Sequence, residues 1–219
     1  MCLSAQADLI GGVVIGVIGV DAVRHVGNRR DHLPLAALPL ILAFHQFDEA
    51  FVWWGLQGHV AESVGRVATW IYLLIAFVLL PVYLPVAVLC LEPRGRRRRV
   101  MAALTGLGLA VSSVLLAAMI AGPVTAELGE HHVNYDTGLR SAGLVVLPYV
   151  VATCGALLFS GYRDVALFGV VNIVAVAVLS RLTIDGFASL WCAWAAVSSG
   201  AFVLWLRFGR VYGPGVLVR

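Results

Sequence analysis

The chain has 219 residues, of which 61% are hydrophobic and 12% are charged, and its mean hydropathy is +0.93. A soluble domain carries about 25% charged residues, so a soluble globular protein, a disordered tail and a nucleic-acid-binding module are all excluded. All 15 basic residues are arginine, which rules out lysine chemistry, including a retinal or pyridoxal Schiff base and a P-loop lysine.

At about 20 residues per membrane-crossing helix, this length holds roughly six to eight spans. Seven apolar segments follow one another: Ala7–Arg24, Leu35–Gln57, Val67–Leu91, Val100–Gly122, Ala142–Ser160, Val165–Ile184 and Phe187–Arg207. They are too long for transmembrane strands and lack the polar–apolar alternation of such strands. The expected fold is therefore all-α: a polytopic bundle of seven transmembrane helices, forming one domain over residues 1–219. The first segment lacks the positively charged lead of a signal peptide and is read as a retained helix.

In the first segment Gly12 and Gly16 form a small-xxx-small pair, and in the fourth Gly108 and Ser112 form another. Such pairs let helices approach closely in lipid, although glycine is also ordinary membrane-helix composition. Pro81 and Pro85 lie inside the third segment and are expected to bend it. The run Arg94-Gly95-Arg96-Arg97-Arg98-Arg99 reads as a topology anchor, with anionic lipid headgroups as the other candidate role.

Orientation follows from the arginines. Twelve lie in the first, third and fifth loops and at the C-terminus, against three (Arg66, Arg140 and Arg181) on the opposite side. The N-terminus is therefore expected outside and the C-terminus in the cytoplasm, as a multi-pass protein of the cell membrane with the lipid bilayer as its first partner.

The second segment holds Phe44-His45-Gln46-Phe47-Asp48-Glu49-Ala50-Phe51-Val52-Trp53-Trp54. A central Asp costs about 2.5–3.5 kcal/mol on insertion, while each Leu, Ile, Phe or Val returns only about 0.3–0.6. Asp48 and Glu49 must then face protein, water or an ion rather than lipid. His45, Asp48 and Glu49 stand at i, i+3 and i+4 and share one face, with Gln46 and Trp53 bordering Glu49. Such a group can hold a metal, relay protons or grip a cationic ligand; a hydrogen-bonded polar zipper between helices is the structural alternative.

With the topology above, Glu49 falls in the outer half of its helix. Cys2, the loop Glu127-Leu128-Gly129-Glu130-His131-His132-Val133-Asn134-Tyr135-Asp136, Arg181, Asp185 and Cys192 belong to the same side. The candidate ligand-binding set is His45, Gln46, Asp48, Glu49, Trp53, Tyr135, Arg181, Asp185 and Trp191. The candidate metal set is Cys2, Glu49, His131, His132 and Cys192, suited to a divalent metal or copper. Adjacent histidines on a loop need not point together, so an exposed polar loop is the simpler reading of 127–136. Arg181 and Asp185, four apart, are expected to pair. Asn172 reads as interhelical glue. His25 and His32 read as loop residues among arginines. Cys90 and Cys154 read as small apolar residues, whereas Cys2 and Cys192, on the oxidising side, are expected to lie close enough for a disulfide or a shared ligand.

Three stretches carry a family resemblance: Met1-Cys2-Leu3-Ser4-Ala5; Leu35-Ala36-Ala37-Leu38-Pro39-Leu40 leading into Gln46-Phe47-Asp48-Glu49-Ala50-Phe51-Val52-Trp53; and Ser189-Leu190-Trp191-Cys192-Ala193-Trp194-Ala195-Ala196. Together they resemble an uncharacterised family of bacterial integral membrane proteins that open Met-Cys-Phe-Ser-Ala and carry Gln-Gln-x-x-Glu-Gly-x-x-Trp and Ser-x-Trp-Cys-Phe-Phe-Ala-Ala. The resemblance marks Cys2, Gln46, Glu49, Trp53, Trp191 and Cys192 as motif positions. His45, Ala50 and Ala193-Trp194 depart from it. It supports the fold and implies no activity.

Three functions compete, and a receptor or purely structural partner subunit stays open beside them, because seven helices with the N-terminus outside imply no mechanism. The first is an outward-facing polar site around Glu49 for a metal ion or small ligand. The second is an intramembrane metal-dependent lipid hydrolase, although no segment carries a His-x-x-x-His or His-Glu-x-x-His pair. The third is a proton-coupled transporter using Asp48 and Glu49. Whether the chain is an enzyme is open at this stage, as is its oligomeric state.

Overall fold

The computed structural model describes residues 4–129, 132–138, 142–182 and 187–208. These residues form seven helices: α1 Ala5–Val26, α2 Leu33–Leu56, α3 Glu62–Leu91, α4 Arg96–Ala121, α5 Ala142–Leu158, α6 Arg163–Leu182 and α7 Phe187–Phe208. The fold is all-α, as the apolar segmentation requires, apart from one antiparallel hairpin between α4 and α5. Its strands are β1 Thr125–Leu128 and β2 Val133–Asp136, paired from Thr125 with Asp136 to Leu128 with Val133. By length and composition, α1, α2 with the turn before it, α3 and α4 are long and apolar enough to cross a membrane.

Helix ends are closed locally. Ser4 caps α1 by accepting from the Ala7 N–H over 3.3 Å. Gly58, at φ +74°, ends α2 in a turn whose following residue, His59, donates its N–H to the Trp54 carbonyl over 2.8 Å.

Small residues set the packing of the first three helices. A Cβ on Gly19 would stand 2.7 Å from the Leu40 side chain, and one on Gly12 would stand 3.1 Å from Phe47. Gly16 faces Ala43 at ordinary contact distance. The expected pair of glycines is thus part of a longer stripe that lets α1 lie against α2. Between α2 and α3, a Cβ on Gly55 would come within 2.5 Å of the Gly65 Cα.

The prolines of α3 act differently from a simple bend. Leu74–Leu79 is wound as π-helix, and the Leu80 N–H donates to the Ile75 carbonyl five residues back. The next donor in that register belongs to position 81, which is proline and has no N–H. The Ala76 carbonyl accepts instead from the Tyr149 hydroxyl of α5 over 2.8 Å. The Ser112 hydroxyl of α4 donates to the Val78 carbonyl, also over 2.8 Å. Pro85 likewise removes the donor four residues beyond Pro81, and Gly108 packs onto the Pro81 carbonyl: a Cβ there would lie 2.0 Å from its oxygen. Gly108 and Ser112 are therefore the contact residues of α4 on α3.

At the arginine-rich end, Arg98 donates to the carbonyls of Leu89 (2.8 Å) and Glu92 (3.0 Å) and so closes the C-terminus of α3. The buried Glu92 carboxylate accepts from the Ser160 hydroxyl at 2.8 Å and the Gly161 N–H at 2.6 Å, tying the α3–α4 connection to the α5–α6 connection. At least one member of the arginine run is thus a helix cap.

Candidate functional site

One broad face of α2 is buried against its neighbours along the C-terminal half, with Phe44 and Phe51 exposed on the other. His45, Gln46 and Glu49 are fully buried, and Asp48 is 7% exposed. The two carboxylates that could not face lipid therefore lie inside the bundle. The α1–α2 register set by Gly19 on Leu40 and Gly12 on Phe47, continued by one turn, brings Asp8 level with Phe51, within one turn of Glu49, and Asp8 is also fully buried. Ala5, one turn earlier on α1, shares a core cluster with Ala50 and Trp53.

An aromatic column joins this region to the hairpin. The His45 ring meets Tyr72 of α3 edge-on, with centroids 4.0 Å apart. Tyr72 in turn stacks on Tyr135 of β2 at 4.3 Å and 10° between planes. Val133 of the same strand is completely buried in the cluster that contains Tyr72 and Trp53. The segment read as an exposed polar loop is thus a structured hairpin that plugs one end of the bundle. The apolar side chain of Val133 drives it inward, while Glu127 and Asp136 remain at the surface.

Several polar atoms in this interior have no hydrogen-bond partner among the described residues: both ring nitrogens of His45, both amide atoms of Gln46, Oδ2 of Asp48 and the indole nitrogen of Trp53. A buried polar group left unsatisfied costs about 1–3 kcal/mol. Four side chains of one helix share this condition, three of them inside a single turn and Trp53 one turn beyond Glu49.

The remaining candidates distribute as follows. Trp191 lines a small cavity of about 30 Å³ with Tyr149, Thr153 and Asn172, a lining that does not include Glu49. Asn172 accepts from the Trp194 indole over 3.2 Å and so joins α6 to α7, the interhelical role its position suggested. Arg181 is exposed near the end of α6. Asp185, Cys2 and His131 lie outside the described residues, as does the side chain of Cys192, so the Arg181–Asp185 and Cys2–Cys192 pairings do too. His132 belongs to the hairpin turn, where its carbonyl accepts from the Gly129 N–H over 2.8 Å. Asp136 accepts from the Gly138 N–H over 2.8 Å. Among the described residues no group of three or more His, Cys, Asp or Glu is arranged to hold a metal ion. The proposed metal set thus gains no support where it can be followed: Glu49 is enclosed on α2, and His132 is part of the hairpin turn. Cys90 and Cys154 are free thiols, Cys154 buried, consistent with packing roles.

Asp8 and Tyr72 were not singled out by the sequence reading. Asp8 had a usable signal, since a carboxylate at the start of an apolar helix carries the same insertion cost as Asp48. Tyr72 had none, because an aromatic in an apolar helix is ordinary.

Residues 1–214 match the model of a family of unknown function (DUF6629). The chain belongs to this family. No match was found among curated proteins or among solved structures. Membership agrees with the whole-chain resemblance carried by the Met-Cys opening, the Gln46–Trp53 stretch and the Trp191-Cys192 motif, and it extends through α7. It brings no activity with it.

Proposed function

We propose that the protein is a multi-pass cell-membrane protein whose seven helices all cross the bilayer, N-terminus outside and C-terminus cytoplasmic, and that its interior polar site around Glu49 binds a small cationic ligand. The observation that carries this reading is the set of buried polar atoms without partners on His45, Gln46, Asp48 and Trp53. A bundle that bore their desolvation for no return would be more stable with apolar residues there. The choice of a cation is supported by the carboxylates of Asp48, Glu49 and Asp8 in the interior, together with the stacked rings of Tyr72 and Tyr135. Buried carboxylates and aromatic rings each favour a positively charged group once water is excluded. Glu49 is fully enclosed, so entry requires the hairpin or a neighbouring helix to move.

A proton-coupled carrier is the second reading, supported by the π-wound stretch of α3 that begins two residues after Tyr72. Such segments recur at functional sites in membrane and soluble proteins alike.

The test is titration of nanodisc-embedded protein with tetramethylammonium and primary alkylamines, and separately with zinc and copper ions, read by melting temperature and tryptophan emission. The expected result is a saturable rise in melting temperature with an organic cation that is lost in Asp48→Asn and Glu49→Gln. A response to metal alone, or one that survives both variants, overturns the reading. Uptake of the same cations into liposomes, with and without a pH gradient, separates carrier from receptor.

A further inference from the structure

At the arginine-rich end of the bundle, away from Glu49, a larger cavity of about 300 Å³ opens between α1, α2, α6 and α7. Its floor is apolar: Leu35, Leu91, Val165 and Phe202 line it, and all four are buried members of one core cluster. Its polar wall is built from Asp21, His25, Arg29, His32 and Asp164.

The charges on that wall are not equivalent. Nδ1 of His25 lies 2.7 Å from the Asp21 carbonyl oxygen and 3.3 Å from the Asp21 carboxylate. Nδ1 of His32 lies 3.2 Å from the carboxylate of its neighbour Asp31. The His25 imidazole is thus anchored through Nδ1, whereas Nδ1 of His32 is buried beside Asp31 without a hydrogen bond among the described residues, and each ring keeps Nε2 for another partner. Asp164 stands in the first turn of α6, where the helix dipole favours a negative charge. Arg29 makes no direct ion pair among the described residues, although its charge also acts at longer range on Asp31, and it supplies the guanidinium of the wall.

We propose that this cavity is a binding site for an anionic membrane lipid, with the headgroup on Arg29 and the two imidazoles and the first methylenes of one chain on the Leu35–Phe202 floor. A guanidinium offers paired N–H donors suited to a phosphate. The apolar floor favours a lipid over free phosphate, which would gain nothing from it. The volume stands at the small end of ligand sites, about 300–1,000 Å³, and so suits a headgroup and part of a chain rather than a whole diacyl lipid. The site is independent of Glu49 and stands whether or not the proposed cation site does.

The experiment is native mass spectrometry of the full chain in detergent with added dioleoylphosphatidylglycerol, dioleoylphosphatidylcholine or inorganic phosphate. Retention of phosphatidylglycerol over phosphatidylcholine is expected. Arg29→Gln should weaken it about tenfold, the size of one lost charge-assisted hydrogen bond. Arg96→Gln, in the exposed arginine run, should change it by less than about twofold. Ala36 and Val203 also line the cavity; Ala36→Phe, which fills it, should weaken retention as well, and if that variant does not fold by circular dichroism, Val203→Phe takes its place. Equal losses in Arg29→Gln and Arg96→Gln would show diffuse attraction to arginines and overturn the proposal. Displacement of the lipid by equimolar phosphate would overturn it in favour of a free-anion site.

Discussion

Tyr72 of α3 and Tyr135 of β2 stack face to face at 4.3 Å, and through this contact the hairpin between α4 and α5 becomes a wall of the α2 interior. Because Tyr72 also meets His45, any displacement of the hairpin reaches the polar turn of α2 through two ring contacts.

Tyr135→Ala should therefore loosen the hairpin before it unfolds the bundle. Aromatic pairs contribute about 0.5–1.5 kcal/mol beyond their buried area. Limited proteolysis should cut within the hairpin faster in the variant, while the circular dichroism of the helices stays unchanged. Unchanged cleavage would mean that Val133 alone holds the hairpin.

Gln46→Leu should stabilise the ligand-free protein or leave it unchanged. Both amide atoms of Gln46 are buried without partners among the described residues, and an apolar residue of similar volume removes a penalty of about 1–3 kcal/mol per stranded group. Binding of the cation should fall in the same variant. A lower melting temperature without ligand would show that the amide has structural partners.

The α3–α4 contact gives a sharp contrast between two glycines. Gly108→Ala forces a Cβ to 2.0 Å from the Pro81 carbonyl oxygen, whereas nothing lies within 4 Å of a Cβ on Gly106. Two backbones must separate to admit the first, so a loss of about 1–3 kcal/mol or more is expected. Gly106→Ala should be neutral or mildly stabilising, because alanine favours helix over glycine. Thermal denaturation in one detergent compares the two; equal midpoints would contradict the close approach.

Tyr149→Phe removes the donor that serves the Ala76 carbonyl and should cost about 1–3 kcal/mol. In a Pro81→Ala background the chain regains an N–H in the π register, and the same substitution should then cost less. A double-mutant cycle measures this coupling. Additive effects would show that Tyr149 acts by packing alone.

Topology has its own check. A reporter fused after Arg219 should behave as cytoplasmic, and a tag before Cys2 should be accessible from outside. Both ends on one side would remove a span from the proposed seven.

The sequence by itself determined the helices and their material. An α-helix satisfies its backbone hydrogen bonds within one segment, so apolar runs alone place α1 to α7 to within a few residues. The cost of carboxylates in lipid likewise marked Asp48 and Glu49 as interior residues before any packing was known. What the tertiary structure decided is which faces meet. Asp8 comes within one turn of the Glu49 level only because Gly12, Gly16 and Gly19 let α1 lie close against α2. The hairpin was hidden because its two four-residue strands carry Glu127, Asn134 and Asp136 and read as polar; only the burial of Val133 and the stack on Tyr72 reveal its inward face. The π-wound stretch of α3 depends on donors from α4 and α5, Ser112 and Tyr149, the latter 73 residues from its acceptor. His25, Arg29 and His32 gather around one cavity because α6 and α7 close over them. Local periodicity records what one helix must bury, but the partner of a buried group comes from segments remote in the chain, and only packing selects it.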